Sequence, residues 1–132
     1  GVAIKPDVIS MLETRGHEVI DLGPFTNERV DYTDFAHLLS QKVLAHEGTQ
    51  GILICGSGIG MSLAANKHNG IRAALCHDAY TAKMARAHND ANVLCFGERI
   101  VGLGVIESML EAWCDTSFEG GRHACRVSKI EV

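Results

Sequence analysis

Hydrophobic positions along the chain alternate between helical spacing and short continuous runs. Residues 3–15 place Ile4, Val8, Ile9 and Leu12 on one helical face, and Gly16 suits a C-terminal stop. Glu18-Val19-Ile20-Asp21-Leu22 reads as a short strand closing at Gly23-Pro24. Thr33 or Asp34 can cap a second helix through about His46, with Phe35, Leu38, Leu39 and Val43 facing inward. Gly51-Ile52-Leu53-Ile54-Cys55 is an unbroken apolar run, the pattern of a parallel strand covered on both faces. A glycine turn over 56–60 leads into a helix to Lys67. Strands are predicted over 71–75 and 92–96, and helices over 78–88 and 102–114. The remaining stretch, 115–132, is polar and basic and reads as a docking arm.

Strands alternating with helices predict one α/β domain over 1–132 with a doubly wound, Rossmann-like parallel sheet in three αβα layers. In a flavodoxin-like strand order, 2-1-3-4-5, the first strand is central. This chain opens directly into a helix, which would leave a slot between the 18–22 and 51–55 strands. The pattern therefore carries the expectation of a further strand ahead of Gly1.

Composition narrows the function classes. Of 132 residues, 46% are hydrophobic and 21% charged, as in an ordinary globular enzyme. A formal net charge of −4 argues against a nucleic-acid surface, which needs a basic excess. No apolar run approaches the roughly 18 residues of a membrane span, so no membrane partner is expected. Five cysteines without a C-x-x-C pair fit reduced thiols, and hence the cytoplasm, better than a disulfide framework. The histidines and cysteines lack metal-ligand spacing, and neither metal nor organic cofactor is expected.

The chemistry concentrates at Cys55-Gly56-Ser57-Gly58-Ile59-Gly60, between a buried strand and a helix, where doubly wound folds bind ligands. Three glycines let the backbone approach a ligand, and the helix N-terminus adds partial positive charge. Several readings of this loop remain open. A dinucleotide fingerprint would find an acid about 20 residues on, near Asp78, but Met61 stands where its third glycine belongs. A thiol phosphatase would need arginine at that same Met61. An enediolate site needs a base, amide donors and remote phosphate anchors, all of which are available. Cys55 could also be merely a small residue at a tight turn.

Two further groups bear on the choice. His88-Asn89-Asp90 ends a helix just ahead of a strand, and is expected near the same sheet edge as Cys55. Gly120-Gly121-Arg122-His123-Ala124-Cys125-Arg126 spaces two arginines four apart, on one face if helical. Guanidinium groups so placed can share a phosphate, although a solvated basic tail would look the same.

Together with Ala64-Ala65-Asn66-Lys67, Gly70-Ile71-Arg72-Ala73 and Ala87-His88-Asn89-Asp90-Ala91-Asn92-Val93-Leu94, these blocks resemble the ribose-5-phosphate isomerase type B family, in residues and in spacing. The chain is also similar to galactose-6-phosphate and allose-6-phosphate isomerases of the same fold. The resemblance implies interconversion of ribose 5-phosphate and ribulose 5-phosphate, with a hexose-6-phosphate isomerase or a non-catalytic sugar-phosphate binder as alternatives. It implies that Cys55 moves the proton between carbons 2 and 1 of the open sugar. The amides of Gly56, Ser57, Gly58, Ile59 and Gly60, with the Ser57 hydroxyl, would hold the enediolate. His88 would assist ring opening and Asn89 would bind substrate, while Arg99, Arg122 and Arg126 line the site or grip phosphate. Members open with a strand and Asp-His-x-Gly, of which Gly1 matches the glycine; the Asp and His have no counterpart here. The family forms homodimers, or tetramers built from them, whose sites are completed by the neighbouring subunit.

Overall fold

A computed structural model describes residues 1–26 and 28–132. Its described residues contain helices α1 (Lys5–Thr14), α2 (Tyr32–Ala45), α3 (Ile59–Ala65), α4 (Ala79–Asn89), α5 (Leu103–Cys114) and α6 (Arg122–Val127). Its strands are β1 (Gly51–Cys55), β2 (Ala73–Leu75) and β3 (Val93–Gly97). All strand pairs are parallel, and the order is β1-β3-β2.

The apolar runs explain the layering. Successive strand side chains point to opposite faces, so each strand feeds two cores. Ile52, Ile54, Ala74, Leu94 and Phe96 meet Val8 of α1, Ala82 and Ala85 of α4, and Ile106, Met109, Leu110 and Trp113 of α5. Leu53, Cys55, Ala73, Leu75, Val93 and Cys95 meet Ala36 and Val43 of α2 and Met61, Ala64 and Ala65 of α3. The three-layer, doubly wound α/β class read from the sequence is thus present. The Trp113 indole N–H donates to Gln50 Oε1 at 2.9 Å, so this large side chain is buried without an orphaned donor.

Four expectations need correction. The flavodoxin-like order fails in its second half: β3, not β2, lies beside β1, with Cys55 opposite Gly97 and Gly51 opposite Val93. Hydrophobic pattern marks both segments as buried strands and does not say which is central. Residues 18–22 form no strand, because this segment has no ladder partner among the described residues and leaves Ile20 75% exposed. A groove of about 1110 Å³ runs between it and β1. Leu38 is exposed, since the inward face of α2 passes through Ala36, Ser40 and Val43, and a two-residue step from Ala36 turns Leu38 to the far side. Finally, 115–132 does not stand off as a free arm. It folds back on α4: the Glu119 amide donates to the Ala87 carbonyl at 3.0 Å, and α6 packs on α4 with His123 buried.

Candidate active site

β1 delivers Cys55 to the carboxyl edge of the sheet, where the chain turns sharply into α3. Gly58 makes the turn in the left-handed region, with φ of 82°. A Cβ there would approach the Phe96 carbonyl carbon at 2.8 Å, so glycine is required both conformationally and sterically. The loop also crosses the end of β3. A Cβ on Gly97 would lie 2.5 Å from the Gly56 oxygen and the Ser57 Cα. Backbone bonds clamp the crossing, with Glu98 N–H donating to Cys55 O at 2.9 Å and Arg99 N–H to Gly56 O at 3.1 Å.

Within this frame the Gly58 amide donates to the Cys55 sulfur at 3.1 Å, and the Ile59 amide to the Ser57 hydroxyl oxygen at 3.3 Å. Two of the five loop amides therefore already have partners. The first turn of α3, like that of any helix, leaves further N–H groups for a ligand. An open pocket of about 340 Å³ is lined by Tyr32, Cys55, Gly56, Ser57, Gly60, Arg99 and Ile100. Cys55 is half-buried there, whereas burial pushes the Cys76 thiol up to about 11 and the Cys95 thiol up to about 12. Both of those are inert packing residues.

Tyr32 and Ile100 were not anticipated from the sequence. The signal for Tyr32 is Gly60, where any Cβ would run into the tyrosine hydroxyl. Ile59, also expected to contribute through its amide, carries a side chain that is 52% exposed.

His88 and Asn89 lie elsewhere, contrary to the expectation of a common edge. They end α4, and Asp90 closes the helix in the left-handed conformation while accepting from Arg86 at 3.1 Å and Arg72 at 3.4 Å. The next residues lead into the amino end of β3: Asn92 O accepts from Gly51 N–H, at the start of β1. Cys55 sits at the other end of that strand. Four residue steps separate the two edges, about 13 Å along the sheet. A residue that precedes a parallel strand and one that follows another are necessarily on opposite edges.

Around His88 a second cluster forms. Its ring stacks on His123, centroids 4.2 Å apart and planes within 10°. Glu119 Oε1 stands 3.7 Å from His88 Nε2 and 3.5 Å from His123 Nε2. Burial, then the neighbouring His88 and Arg122, hold His123 below the ordinary histidine value. Arg122 and Arg126 lie four apart on α6, both exposed. The protein thus carries two separate clusters: thiol, glycine loop and Arg99 at one edge, and histidines, Asn89 and the arginine pair at the other. Asn89 is exposed beside the second of these.

Known proteins share this sequence and fold over nearly the whole chain. The chain is 46% identical over 130 residues to the ribose-5-phosphate isomerase B of Escherichia coli, covering 98% of this chain and 87% of that one. It is 41% identical over 130 residues to the D-erythrulose-4-phosphate isomerase of Pectobacterium atrosepticum, covering 98% of this chain and 86% of that one. The solved ribose-5-phosphate isomerase B of Clostridium thermocellum superposes with a TM-score of 0.94 at 49% identity, over 97% of this chain and 86% of that one. No helix of the described residues is long and apolar enough to cross a membrane. A model of the ribose/galactose isomerases matches residues 1–130, and the chain belongs to that family.

Proposed function

We propose that the chain is an aldose–ketose isomerase that interconverts D-ribose 5-phosphate and D-ribulose 5-phosphate in the cytoplasm, with Cys55 as the base. The Cys55 thiolate removes the proton from carbon 2 of the open-chain aldose as negative charge builds on O1. The resulting enediolate is held by loop amides of 56–60 and the Ser57 hydroxyl. The thiol then returns its proton to carbon 1, and the O2 proton passes to O1. A carbonyl stands at carbon 2 and a hydroxyl at carbon 1, with no net redox change and no cofactor required.

The single observation that carries this reading is the Cys55 sulfur, 3.1 Å from the Gly58 amide, at the mouth of the glycine loop beside Arg99. A sugar-phosphate binder needs the amides and arginines but no thiol. His88 assists ring opening, Asn89 and Arg99 bind substrate, and Arg122 and Arg126 hold the phosphate. Since His88 and Cys55 lie at opposite sheet edges, one chain cannot supply both to one sugar. A two-fold homodimer, alone or within a tetramer, joins the two half-sites into composite ones.

The test is a side-by-side assay with ribose 5-phosphate, erythrulose 4-phosphate, allose 6-phosphate and galactose 6-phosphate. Ribose 5-phosphate is expected to show the highest kcat/KM. A higher value for a four- or six-carbon sugar would reassign the substrate, and binding without turnover of any would leave a binding module.

A further inference from the structure

α2 leads into β1, and β1 ends at Cys55, so the first residue of α2 lies back at the sheet edge that carries the thiol. That residue is Tyr32. Side chains on a helix lean toward its N-terminus, which at the first position carries the phenol past the helix end and over the glycine loop. It rests on Gly60, where a Cβ would run into the tyrosine hydroxyl, Cζ and Cε2. Gly60 lies within α3 and has no positive φ. The close approach of Tyr32, and not backbone conformation, is what requires a glycine there.

Tyr32 lines the pocket of about 340 Å³ that also holds Cys55, Ser57 and Arg99. The Cys55 sulfur and the Ser57 hydroxyl oxygen already accept loop amides. Tyr32 is 46% exposed, and its hydroxyl makes no hydrogen bond among the described residues, so its donor and its lone pairs are available to a ligand. We propose that Tyr32 is a substrate-contacting residue, its ring a wall of the sugar pocket and its hydroxyl bonded to a hydroxyl of the open-chain sugar phosphate. Gly60 stays small to admit it. The ring offers apolar surface to the carbon chain, and the hydroxyl adds one point of polar recognition. Loop amides and Ser57 take the two reacting oxygens, so Tyr32 meets a hydroxyl beyond them, which the reaction leaves unchanged. Such a contact is equal in ground and transition states and acts on KM rather than kcat. This role deepens the isomerase reading and takes the identity of the sugar from it.

The experiment compares the parent with Tyr32→Phe, Tyr32→Ala and Gly60→Ala. With ribose 5-phosphate, Tyr32→Phe should raise KM about two- to tenfold at nearly constant kcat, the scale of one neutral hydrogen bond. A second readout needs no turnover: calorimetric titration with ribitol 5-phosphate and with inorganic phosphate. Tyr32→Phe should weaken the polyol phosphate by the same factor and leave inorganic phosphate unchanged. Gly60→Ala, whose methyl displaces the phenol, should weaken the polyol phosphate as Tyr32→Ala does. The double variant should then lose less than the product of the two single losses. Equal affinity of parent and Tyr32→Phe for ribitol 5-phosphate, a loss confined to kcat, or fully multiplicative losses in the double variant would overturn the contact. A parent that binds ribitol 5-phosphate yet turns over no sugar phosphate would end the isomerase reading, and the calorimetry would still decide the role of Tyr32.

Discussion

The Gly58 amide donates to the Cys55 sulfur at 3.1 Å, which fixes the thiol between the end of β1 and the first turn of α3. If that sulfur is the base, Cys55→Ala should keep the fold and lose at least about a thousandfold in turnover, the scale for removing a general base with its shuttle. Far-ultraviolet circular dichroism checks the fold and a coupled ketose assay the rate. Near-parental turnover would end the enediolate assignment.

Alkylation should distinguish four of the five thiols. Iodoacetamide is expected to label half-buried Cys55 and exposed Cys125, and to spare Cys76 and Cys95, whose burial holds them near about 11 and 12. Bound sugar phosphate should protect Cys55 alone. Peptide mass spectrometry reads both outcomes, and equal labelling of Cys95 would contradict the packing described.

The crossing of the loop over β3 predicts a separate phenotype. Gly97→Ala puts a Cβ 2.5 Å from Gly56 O and Ser57 Cα, so the loop has to shift. Gly58→Ala combines a φ of 82° with contact at 2.8 Å to Phe96. Strain of about 1–3 kcal/mol is the scale for such a residue in the left-handed region. Urea unfolding should show losses of this order, and turnover should fall in both variants with Cys55 intact. Unchanged activity in Gly97→Ala would mean that the loop position does not matter.

Much of this geometry was legible in the sequence, for identifiable reasons. The 51–55 run, its glycine turn and the following helix announce a buried parallel strand ending in a ligand loop, and all three stand where they were read. The N-cap of α4 went unread: Asp78, considered only as the acid of a dinucleotide fingerprint, accepts from the Thr81 amide at 2.7 Å. Strand order was not legible, because β2 and β3 are both apolar and short. The partner of His88 was not legible, because the 115–132 segment is polar and basic and offers no run of aliphatic residues. Its anchor is instead His123, a polar residue buried by stacking on another histidine. The separation of Cys55 from His88 was recoverable from chain direction alone, since one follows a parallel strand and the other precedes one.

Arg122 and Arg126 supply the next prediction. Each is exposed on α6, which packs on α4. As phosphate anchors, each changed to Ala should raise KM for ribose 5-phosphate by about tenfold or more, the equivalent of one charge-assisted hydrogen bond. Turnover should fall less, because remote binding energy also helps to position the reacting carbons. If both variants handle the phosphorylated sugar like the parent, the anchors lie elsewhere.

Docking of 115–127 on α4 should weaken in acid. His123 is held below its ordinary value of 6.5 by burial first, then by His88 and Arg122, against the opposing charge of Glu119, with Arg126 a lesser contributor. The unfolded segment therefore binds a proton more readily than the docked one. The stabilisation is fully present above the unfolded value and is lost as pH falls through the docked value. The Glu119 amide, bonded to Ala87 O, reports the docking. Its protection against hydrogen exchange, corrected for intrinsic rates, should drop between about pH 7.5 and 5.5. The drop should be smaller in His123→Gln, and equal protection across the range in the parent would exclude the effect.

The last prediction follows from the two half-sites. Cys55 lies at the carboxyl edge of the sheet and His88 at the amino edge, so a site using both takes them from different chains. Cys55→Ala and His88→Ala should each be inactive as homodimers. A mixed dimer places both lesions in one of its two composite sites and leaves the other intact. At random exchange about half of the molecules are mixed, so roughly a quarter of the parental activity should return on mixing. If each site drew on one chain only, every site in the mixture would keep its lesion and no activity could return. Differentially tagged subunits establish that exchange has taken place. Sustained inactivity after confirmed exchange would refute the shared site and leave the assignment of Cys55 as the base to its own test.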